Sequence, residues 1–235
     1  MADWQIPPNT RAIIFDAFDT LIEPDPPVID VYRQTGLRHG CDISSEKMVR
    51  RFREAFRSEE QVDAAGGWKV SEERERERWK NIVSRVFGGC PALDAIFAEL
   101  WSHFAQSASW RVAESAGVVL SGLAIRGFVL GLASNFDRRL HAIADGLTAL
   151  SPARLRIVSS EVGWRKPSPQ FFAAVVTAAK CEARQVLFIG DRRDTDYDGA
   201  IAAGLRALLL DPDMKAPSGV RRIGSLKELL TSGPV

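Results

Sequence analysis

Short apolar runs and longer amphipathic segments alternate along much of the chain. The short runs carry no helical repeat, and this pattern predicts buried strands. They are RAIIF (11–15), FVLGLAS (128–134), RLRIVSS (154–160), QVLFIGD (185–191) and RALLLD (206–211). Amphipathic segments that predict helices lie between the later runs, at 136–147, 168–180 and 195–204. Strands that alternate with helices at this spacing predict a parallel sheet covered by helices on both faces.

A long block of different character separates the first strand from the others. Residues 28–108 contain four amphipathic segments with helix start and stop signals and no strand-like run. These segments are 28–40, 44–61, 71–88 and 91–106, and Ser71 is placed to cap the third. We therefore predict an α/β fold with a doubly wound, mainly parallel, Rossmann-like sheet and an inserted all-helical module. The predicted boundaries are 1–23 and 112–235 for the α/β core and 24–111 for the insertion.

Composition indicates an ordinary globular protein, with 46% hydrophobic and 26% charged residues and a formal net charge of +1. This charge creates no global field that would attract nucleic acid or an anionic membrane, so we expect neither partner. The most apolar stretch, 117–134, carries Arg126 and four glycines, and it divides better into a helix and a strand than into a membrane span. We expect a monomer or a homodimer.

Localisation is predicted from the N-terminus and the cysteines. Residues 1–10 have no basic start followed by an apolar core, so we expect no signal peptide. Cys41, Cys90 and Cys181 are odd in number, widely spaced and form no CxxC pair. Buried thiols in a reducing compartment are the simplest interpretation. We therefore expect a cytoplasmic protein.

Polar residues collect after four of the predicted strands, where open parallel sheets bind ligands. In chain order they are Asp16, Asp19 and Thr20, with the apolar Phe18 among them; Ser134, Asn135 and Asp137; Lys166; and Asp191, Asp194 and Asp196. Each group alone is compatible with helix caps or turns. Four such groups in one chain, each following an apolar strand, are difficult to assign to capping alone and predict a shared site.

The same stretches resemble the motifs of the haloacid dehalogenase superfamily, and they occur in that superfamily's order. The stretches are FDAFDTL, LASNFDRRL, SSEVGWRKPSPQFF and VLFIGDRRDTDYDGAIAAG. The resemblance covers about 10–23 and 114–211, and the helical block occupies the position of the cap that a subgroup inserts after the first motif. It implies a phosphoric monoester hydrolase that uses Mg²⁺ and acts on a small phosphorylated metabolite.

The resemblance also implies roles for individual residues. Asp16 would be the nucleophile that forms an aspartyl-phosphate. Mg²⁺ would lie between Asp16, the backbone carbonyl of Phe18 and Asp191, which is a set of oxygen ligands suited to a hard cation. Asp196 would support the metal shell or Lys166. The phosphate would be bound by the Thr20 and Ser134 hydroxyls, the Asn135 backbone amide and the Lys166 ammonium.

The first motif departs from the pattern of the superfamily's phosphatases. These usually carry a second Asp two positions after the nucleophile, and it protonates the leaving oxygen and activates water. Here that position holds Phe18, and Asp19 stands where Gly is usual. On an extended backbone Asp19 would point away from Asp16, although a turn would re-aim it. A positioned acid or base is worth about 10²–10⁴ in rate, so we expect a slow phosphatase that favours good leaving groups.

Two alternatives remain open at this point. One is a catalytically weak or inactive protein that binds a phosphate-bearing ligand or a partner. The other is a metal-independent haloacid dehalogenase, whose first motif also carries an aromatic residue at the position of Phe18. That chemistry needs an arginine for the substrate carboxylate, and Arg33, Arg38 and Arg50 are the candidates. The retained Asp191 argues against it.

The insertion and its neighbours suggest how the site is covered. We expect 23–27 and 109–115 to be hinges for cap closure. Of Trp68, Trp79, Trp101 and Trp110, most should form the core of the cap and one or two should roof the pocket, while Trp164 should flank the mouth. For Arg192 and Arg193 we favour surface charges over additional phosphate contacts.

Overall fold

A computed structural model describes residues 5–231, and its largest feature is a parallel sheet. The strands are β1 (Ala12–Phe15), β2 (Ile22–Pro24), β3 (Trp110–Val112), β4 (Val129–Ser134), β5 (Leu155–Val158), β6 (Val186–Gly190), β7 (Arg206–Leu210) and β8 (Arg222–Ile223). Six of these strands form one sheet in the order β5-β4-β1-β6-β7-β8, and every neighbouring pair is parallel. The first strand lies in the middle because the chain later extends the sheet in both directions. The predicted fold class is confirmed.

The helices divide between an insertion and the two faces of the sheet. They are α1 (Val28–Arg38), α2 (Ser45–Ala65), α3 (Glu72–Val86), α4 (Leu93–His103), α5 (Ala116–Ile125), α6 (Arg139–Gly146), α7 (Ser159–Val162), α8 (Pro169–Ala179), α9 (Asp198–Ala202) and α10 (Glu228–Thr231). The first four lie between β2 and β3 and form the helical cap. Ser71 caps α3 as predicted, because its Oγ accepts a hydrogen bond from the Arg74 N–H at 3.2 Å.

The two faces of the sheet are buried in separate apolar clusters. Ile13 and Phe15 of β1 belong to the cluster that packs against α5 and α6, whereas Ala12 and Ile14 belong to the cluster on the side of α8. All four residues are fully buried. Because successive side chains of a strand point to opposite faces, a strand covered on both sides is a continuous apolar run. This is the pattern that the sequence of RAIIF shows.

The predicted strand at 154–160 is longer than the observed one. β5 ends at Val158, and Ser159 and Ser160 begin the short helix α7. The Ser159 Oγ donates to the Phe136 carbonyl at 3.0 Å, and the Ser160 Oγ donates to a carboxylate oxygen of Glu72 in the cap. Both hydroxyls are therefore satisfied by partners outside the strand ladder, and these partners are remote in sequence.

The predicted helix at 195–204 begins later than expected. Residues 193–197 form a wide turn, and the regular helix α9 covers only Asp198–Ala202. The turn carries Asp196 inward, where the N–H of Arg192 donates to its Oδ2 at 3.0 Å. Residues 195–197 therefore belong to the turn that buries the Asp196 carboxylate, although their sequence pattern predicts a regular helix.

The two chain segments that connect the core to the cap lie next to each other. β2 and β3 pair in antiparallel fashion, with Ile22 opposite Val112 and Pro24 opposite Trp110. The boundaries that we propose for the cap, after residue 23 and before residue 112, fall within these two strands. The N-terminal residues 1–4 and the C-terminal residues 232–235 of the predicted core lie outside the described range.

Aromatic packing forms the centre of the cap. Tyr32 of α1 is 2% exposed, and its ring lies 5.3 Å from Phe52 of α2 and 5.9 Å from Phe87 after α3. Such ring pairs contribute about 0.5–1.5 kcal/mol beyond the area that they bury. The cap therefore has its own apolar core, separate from the two clusters that cover the sheet. Across residues 5–231 we find no helix that combines the length and the apolar character needed to cross a bilayer.

The prediction of three reduced thiols is wrong for two of the cysteines. Cys41 and Cys90 are joined by a disulfide with 6.0 Å between their Cα atoms. Cys41 follows α1 and Cys90 follows α3, and the packing of Phe87 against Gly36 brings these helix ends together. The 49-residue separation contains no local spacing signal, so the pairing depends on the cap fold. Cys181 is a half-buried free thiol.

We predict that replacing both Cys41 and Cys90 by Ser lowers the free energy of unfolding by about 2–4 kcal/mol, because the crosslink closes a long loop in the unfolded chain. Urea denaturation without reductant measures this difference. Cys181→Ser is the matched control and should leave the midpoint nearly unchanged. Intact mass after alkylation of the unfolded, unreduced protein should show one modified cysteine. Three modified cysteines, or equal midpoints for all variants, would contradict the prediction.

Candidate active site

A buried lysine joins two carboxylates that come from different strand ends. Lys166 lies before α8 and is 2% exposed, and its Nζ is 2.7 Å from Asp16 Oδ1 and 2.7 Å from Asp196 Oδ1. Asp16 follows β1, and its N–H extends the ladder to β6 by donating to the Ile189 carbonyl at 2.8 Å. Burial alone would lower the pKa of Lys166, but the two carboxylates together outweigh it and raise the pKa. The ammonium is therefore charged at neutral pH.

A third carboxylate, Asp191, completes an acidic cluster directly after β6. Oxygens of Asp16, Asp191 and Asp196 all lie within 4.8 Å of one another, and Thr20 Oγ1 donates to Asp191 Oδ1 at 3.2 Å. Burial and the charges of Asp16 and Asp196 raise the pKa of Asp191 to about 7. Three carboxylates beside one ammonium leave an excess of negative charge.

These residues fit a hard divalent cation. Carboxylate oxygens are the ligands that Mg²⁺ prefers, and a cation would offset the repulsion that raises the pKa of Asp191. Asp196 is the member most engaged with the protein, because one of its oxygens contacts Lys166 and the other accepts from the Arg192 N–H. The Phe18 backbone carbonyl stays a predicted ligand.

Gly190, the last residue of β6, allows Asp196 to approach the sheet. A Cβ atom on this residue would lie 2.3 Å from Asp196 Oδ2. Any side chain at position 190 would therefore displace Asp196 or the strand. The sequence pattern did not predict this requirement. The signal for it, a glycine at the end of a buried strand, is common in strands without a site.

Asn135 holds the backbone of Lys166 from both sides. Its Nδ2 donates to the Lys166 carbonyl at 3.0 Å, and its Oδ1 accepts from the Lys166 N–H at 2.7 Å. The prediction for Asn135 concerned its backbone amide at the start of a helix, but α6 begins only at Arg139. The role of the side chain was missed, because this contact joins residues 31 positions apart.

The first motif turns sharply at Asp19. This residue has φ of +56°, and the N–H groups of Leu21 and Ile22 both donate to the Ala17 carbonyl at 2.9 Å. Asp is one of the few non-glycine residues that adopt this left-handed conformation readily, which explains how it occupies the usual glycine position. The backbone is therefore not extended here, and Asp19 lines the same cavity as Asp16. Desolvation and the charges of Asp16 and Glu23 raise the pKa of Asp19 to about 6.

The cap and the carboxyl edge of the sheet enclose a cavity of about 470 Å³. Its polar floor is formed by Asp16, Ser134, Asn135, Lys166 and Asp191. The structure thus brings together the predicted residues Asp16, Thr20, Ser134, Asn135, Lys166, Asp191 and Asp196, and their individual roles stay predictions. The predicted tryptophans divide as follows: Trp79, Trp101 and Trp110 line the cavity, whereas Trp68 and Trp164 do not. Trp164 instead lies against Lys69, whose Nζ is 5.6 Å from the ring centroid.

Two arginines beside the motifs connect the core to the cap. Arg165 precedes Lys166 and pairs with Glu75 and with Asp63, the latter at 3.5 Å. Arg192 follows Asp191 and places Nη1 2.7 Å from Oε1 of Glu60. Arg192 lines the cavity and is also partly exposed, so it is a surface charge at the edge of the site, and a phosphate contact by it stays untested.

Arg193 differs from Arg192, because it is exposed and faces Asp198 at 3.4 Å, as a surface charge would. The arginines suggested for a dehalogenase also lie away from the cavity. Arg33 and Arg50 are exposed and do not line it, and Arg38 pairs with Glu99. Besides Arg165 and Arg192, the arginines that line it come from the cap and from α6: Arg53, Arg57, Arg78 and Arg139. These four were not predicted, because amphipathic helices carry arginines at many positions.

A family model for haloacid dehalogenase-like hydrolases matches residues 10–204. The chain belongs to this hydrolase family. The haloacid dehalogenase-like hydrolase domain-containing protein 3 of Mus musculus is 30% identical over 216 residues, which is 90% of this chain and 86% of that protein. A phosphoserine phosphatase of Thermus thermophilus is 28% identical over 161 residues, covering 66% of this chain and 63% of the relative.

Solved structures with the same fold include a magnesium-bound hydrolase of this family and a haloacid dehalogenase. The family protein YfnB of Bacillus subtilis, solved with bound magnesium, has a TM-score of 0.76 at 19% identity and covers 94% of this chain and 97% of its own. The L-2-haloacid dehalogenase of Xanthobacter autotrophicus has a TM-score of 0.73 at 15% identity, with the same coverage of 94% and 97%. At these identities the likeness establishes the fold alone.

We predict that Gly190→Ala lowers the free energy of unfolding by about 1–3 kcal/mol, because the new methyl group overlaps Asp196. Thermal or urea denaturation measures the change. Gly224→Ala is the matched control, since a Cβ there would meet its nearest neighbour, Glu228, at an ordinary contact distance of 3.6 Å. Equal stability of the two variants would show that Asp196 does not need the space that Gly190 leaves.

Proposed function

We propose that this hydrolase is a Mg²⁺-dependent phosphatase that forms an aspartyl-phosphate on Asp16. The observation that carries the proposal is the arrangement of Asp16 beside a charged Lys166 and Asp191 at the floor of the cavity between cap and sheet. Lys166 reduces the repulsion between the attacking carboxylate and the phosphate oxygens. Mg²⁺ held by Asp16 and Asp191 would supply charge neutralisation at the phosphoryl group.

The proposed reaction has two halves, and both take place on Asp16. A carboxylate oxygen of Asp16 bonds to phosphorus while the bond from phosphorus to the ester oxygen breaks, and the ester oxygen leaves with the bonding electron pair as an anion that takes a proton from solvent. Water then bonds to phosphorus as the bond to Asp16 breaks, its protons stay on the released inorganic phosphate or pass to solvent, and the carboxylate is restored. Ser134 and Asn135 lie on the cavity floor, where the Ser134 hydroxyl and the Asn135 backbone amide would bind the transferred phosphoryl group.

Phe18 affects the protonation steps. The side chain of this residue is half buried and packs against Trp110, with 6.1 Å between the ring centroids. Because a phenyl ring has no acidic proton, it supplies none to the leaving oxygen. Alcohols that leave as stable anions, such as phenols, need this proton least. The proposed enzyme should therefore be slow and selective for good leaving groups.

The two alternatives are weaker than the phosphatase. A dehalogenase that uses Asp16 would gain nothing from the acidic cluster, and its suggested arginines Arg33, Arg38 and Arg50 lie elsewhere. A binding protein would have no need for a buried lysine that contacts Asp16 directly. The experiments below separate all three.

We predict slow, Mg²⁺-dependent hydrolysis of 4-nitrophenyl phosphate that Asp16→Asn abolishes. Phe18→Asp should raise the rate, by up to about 10²-fold for an alkyl phosphate such as glycerol 3-phosphate and by less for the aryl ester, because a restored acid helps the poorer leaving group more. Steady-state release of phosphate and of 4-nitrophenol measures both rates. Phe18→Asn is the matched control: it creates the same space without an acid and should not raise the rate.

Other outcomes of that experiment would replace the proposal. Folded protein without turnover, in which Phe18→Asp restores none, would favour the binding protein. Halide release from 2-chloropropionate without metal would favour the dehalogenase.

We predict that Mg²⁺ raises the melting temperature of the natural protein in a saturable manner. Binding to the native state alone stabilises it by about 2.7 kcal/mol when the ion is at a hundred times its dissociation constant. Asp191→Asn should remove most of this shift, because it removes one of the three clustered carboxylates. Asp194→Asn is the matched control, since Asp194 is exposed on the same turn and pairs with Arg192. Equal metal shifts in both variants would place the ion elsewhere.

A further inference from the structure

The side of the cavity opposite the acidic cluster is built from aromatic rings. Phe52 and Phe56 of α2 are stacked, with centroids 6.2 Å apart, and Trp79 of α3 lies 6.4 Å from Phe56. These three rings, together with Trp101 and Phe104, are only partly buried and line the cavity. Rings that retain free surface in an enclosed space favour an apolar or aromatic occupant.

The aromatic surface continues down to the first motif. Trp110 contacts Phe18 at 6.1 Å, Phe136 at 5.8 Å and Phe104 at 6.0 Å, measured between ring centroids. All four rings line the cavity that holds Asp16. A phosphate ester bound at Asp16 would therefore place its organic part against rings. A cavity of about 470 Å³ has the size of a small-molecule site.

Among the polar groups beside this aromatic wall, Arg78 has an unpaired donor. Arg78 of α3 is 1% exposed, and its guanidinium carbon lies 4.5 Å from the centroid of Phe56. Its Nη1 is 3.4 Å from Asp63 Oδ2, whereas its Nη2 has no hydrogen-bond partner within residues 5–231. A buried donor without an acceptor costs about 1–3 kcal/mol. Nη2 itself has almost no exposed surface, but Arg78 lines the cavity, so an oxygen atom of a bound ligand can accept from Nη2 once the guanidinium turns toward the cavity.

We propose, on the basis of the phosphatase function above, that the substrate is a small aryl phosphate whose ring system carries an oxygen acceptor for Arg78. The aromatic wall binds the ring, the unpaired Nη2 of Arg78 binds the acceptor, and the residues around Asp16 bind the phosphate. The same class of substrate needs least protonation at the ester oxygen, and Phe18 supplies none. Binding and leaving-group chemistry therefore select the same compounds by independent means.

Binding to Asp16→Asn tests the preference for rings without any turnover. Isothermal titration calorimetry with Mg²⁺ should show 2-naphthyl phosphate binding about tenfold or more tightly than glycerol 3-phosphate. Phe56→Leu in the same background removes ring surface without changing charge, and it should weaken 2-naphthyl phosphate while leaving glycerol 3-phosphate unchanged. Equal affinities of the two esters would overturn the proposal.

A second comparison tests Arg78. In the Asp16→Asn background, Arg78→Met should weaken binding of 3- or 4-acetylphenyl phosphate about tenfold and leave phenyl phosphate unchanged, because only the acetyl group offers an acceptor. Arg74→Met is the matched control: Arg74 pairs with the same Asp63, at 2.7 Å, but does not line the cavity. Equal losses in both variants would show a structural effect of the shared charge network and would overturn the role of Arg78.

The two proposals can fail separately. Tight binding of aryl phosphates by Asp16→Asn, with no hydrolysis of any phosphate by the natural protein, would overturn the phosphatase and retain the ligand class. Mg²⁺-dependent hydrolysis with no preference for rings would retain the phosphatase and overturn the ligand class.

Discussion

The contact between Lys166 and the carboxylates of Asp16 and Asp196 is the constraint on which the site depends. Three carboxylates within 4.8 Å of one another repel, and their burial makes the repulsion stronger than in water. A buried ammonium at 2.7 Å from two of them offsets part of this cost. Two further residues support the contact of Lys166 with these carboxylates. Asn135 fixes the backbone of Lys166, and Gly190 leaves the space in which Asp196 reaches it.

The position of the cap follows from residues adjacent to these groups. Arg165 and Arg192 are the chain neighbours of Lys166 and Asp191, and both extend to acidic residues of α2 and α3. Asp63 of α2 is shared between Arg74, Arg78 and Arg165, and it is 2% exposed. Buried ion pairs of this kind are weak evidence for stability, but they specify geometry, since a misplaced partner leaves a buried charge unpaired. The cap is thus aligned by the same segments that carry Lys166 and the acidic cluster.

The fold was predictable from the sequence because its determinants are local. A strand buried on both faces must be apolar throughout, and RAIIF and QVLFIGD show this within a few residues. The order of the strand ends also predicted which polar residues meet. Contacts between distant segments were not predictable in this way. The Cys41–Cys90 disulfide depends on packing within the cap, and the hydrogen bonds between Asn135 and Lys166 join two distant segments of the core. The arginines of the cavity depend on how the cap packs on the core.

Asp19 shows a second limit of prediction from the sequence, which concerns backbone conformation. Whether its side chain points toward Asp16 depends on one backbone angle, and a φ of +56° cannot be distinguished by pattern from the extended alternative.

Phe18 connects the chemistry of this site with the shape of its cavity. In an otherwise unchanged site, replacing an acid by a phenyl ring would only slow the reaction. Here the Phe18 ring also contacts Trp110, which in turn contacts Phe104 and Phe136, so Phe18 completes an aromatic surface in the cavity that holds Asp16. An aspartate at this position would be desolvated by the same rings, which would raise its pKa and oppose its ionisation. The aromatic wall and the absence of an acid at position 18 are therefore consistent with each other. The rings would oppose the ionisation of an acid there, and without an acid an apolar ring can complete the wall. Under the proposed function, a site with these two features favours phosphate esters of aromatic alcohols, whose leaving oxygen needs no protonation by the enzyme.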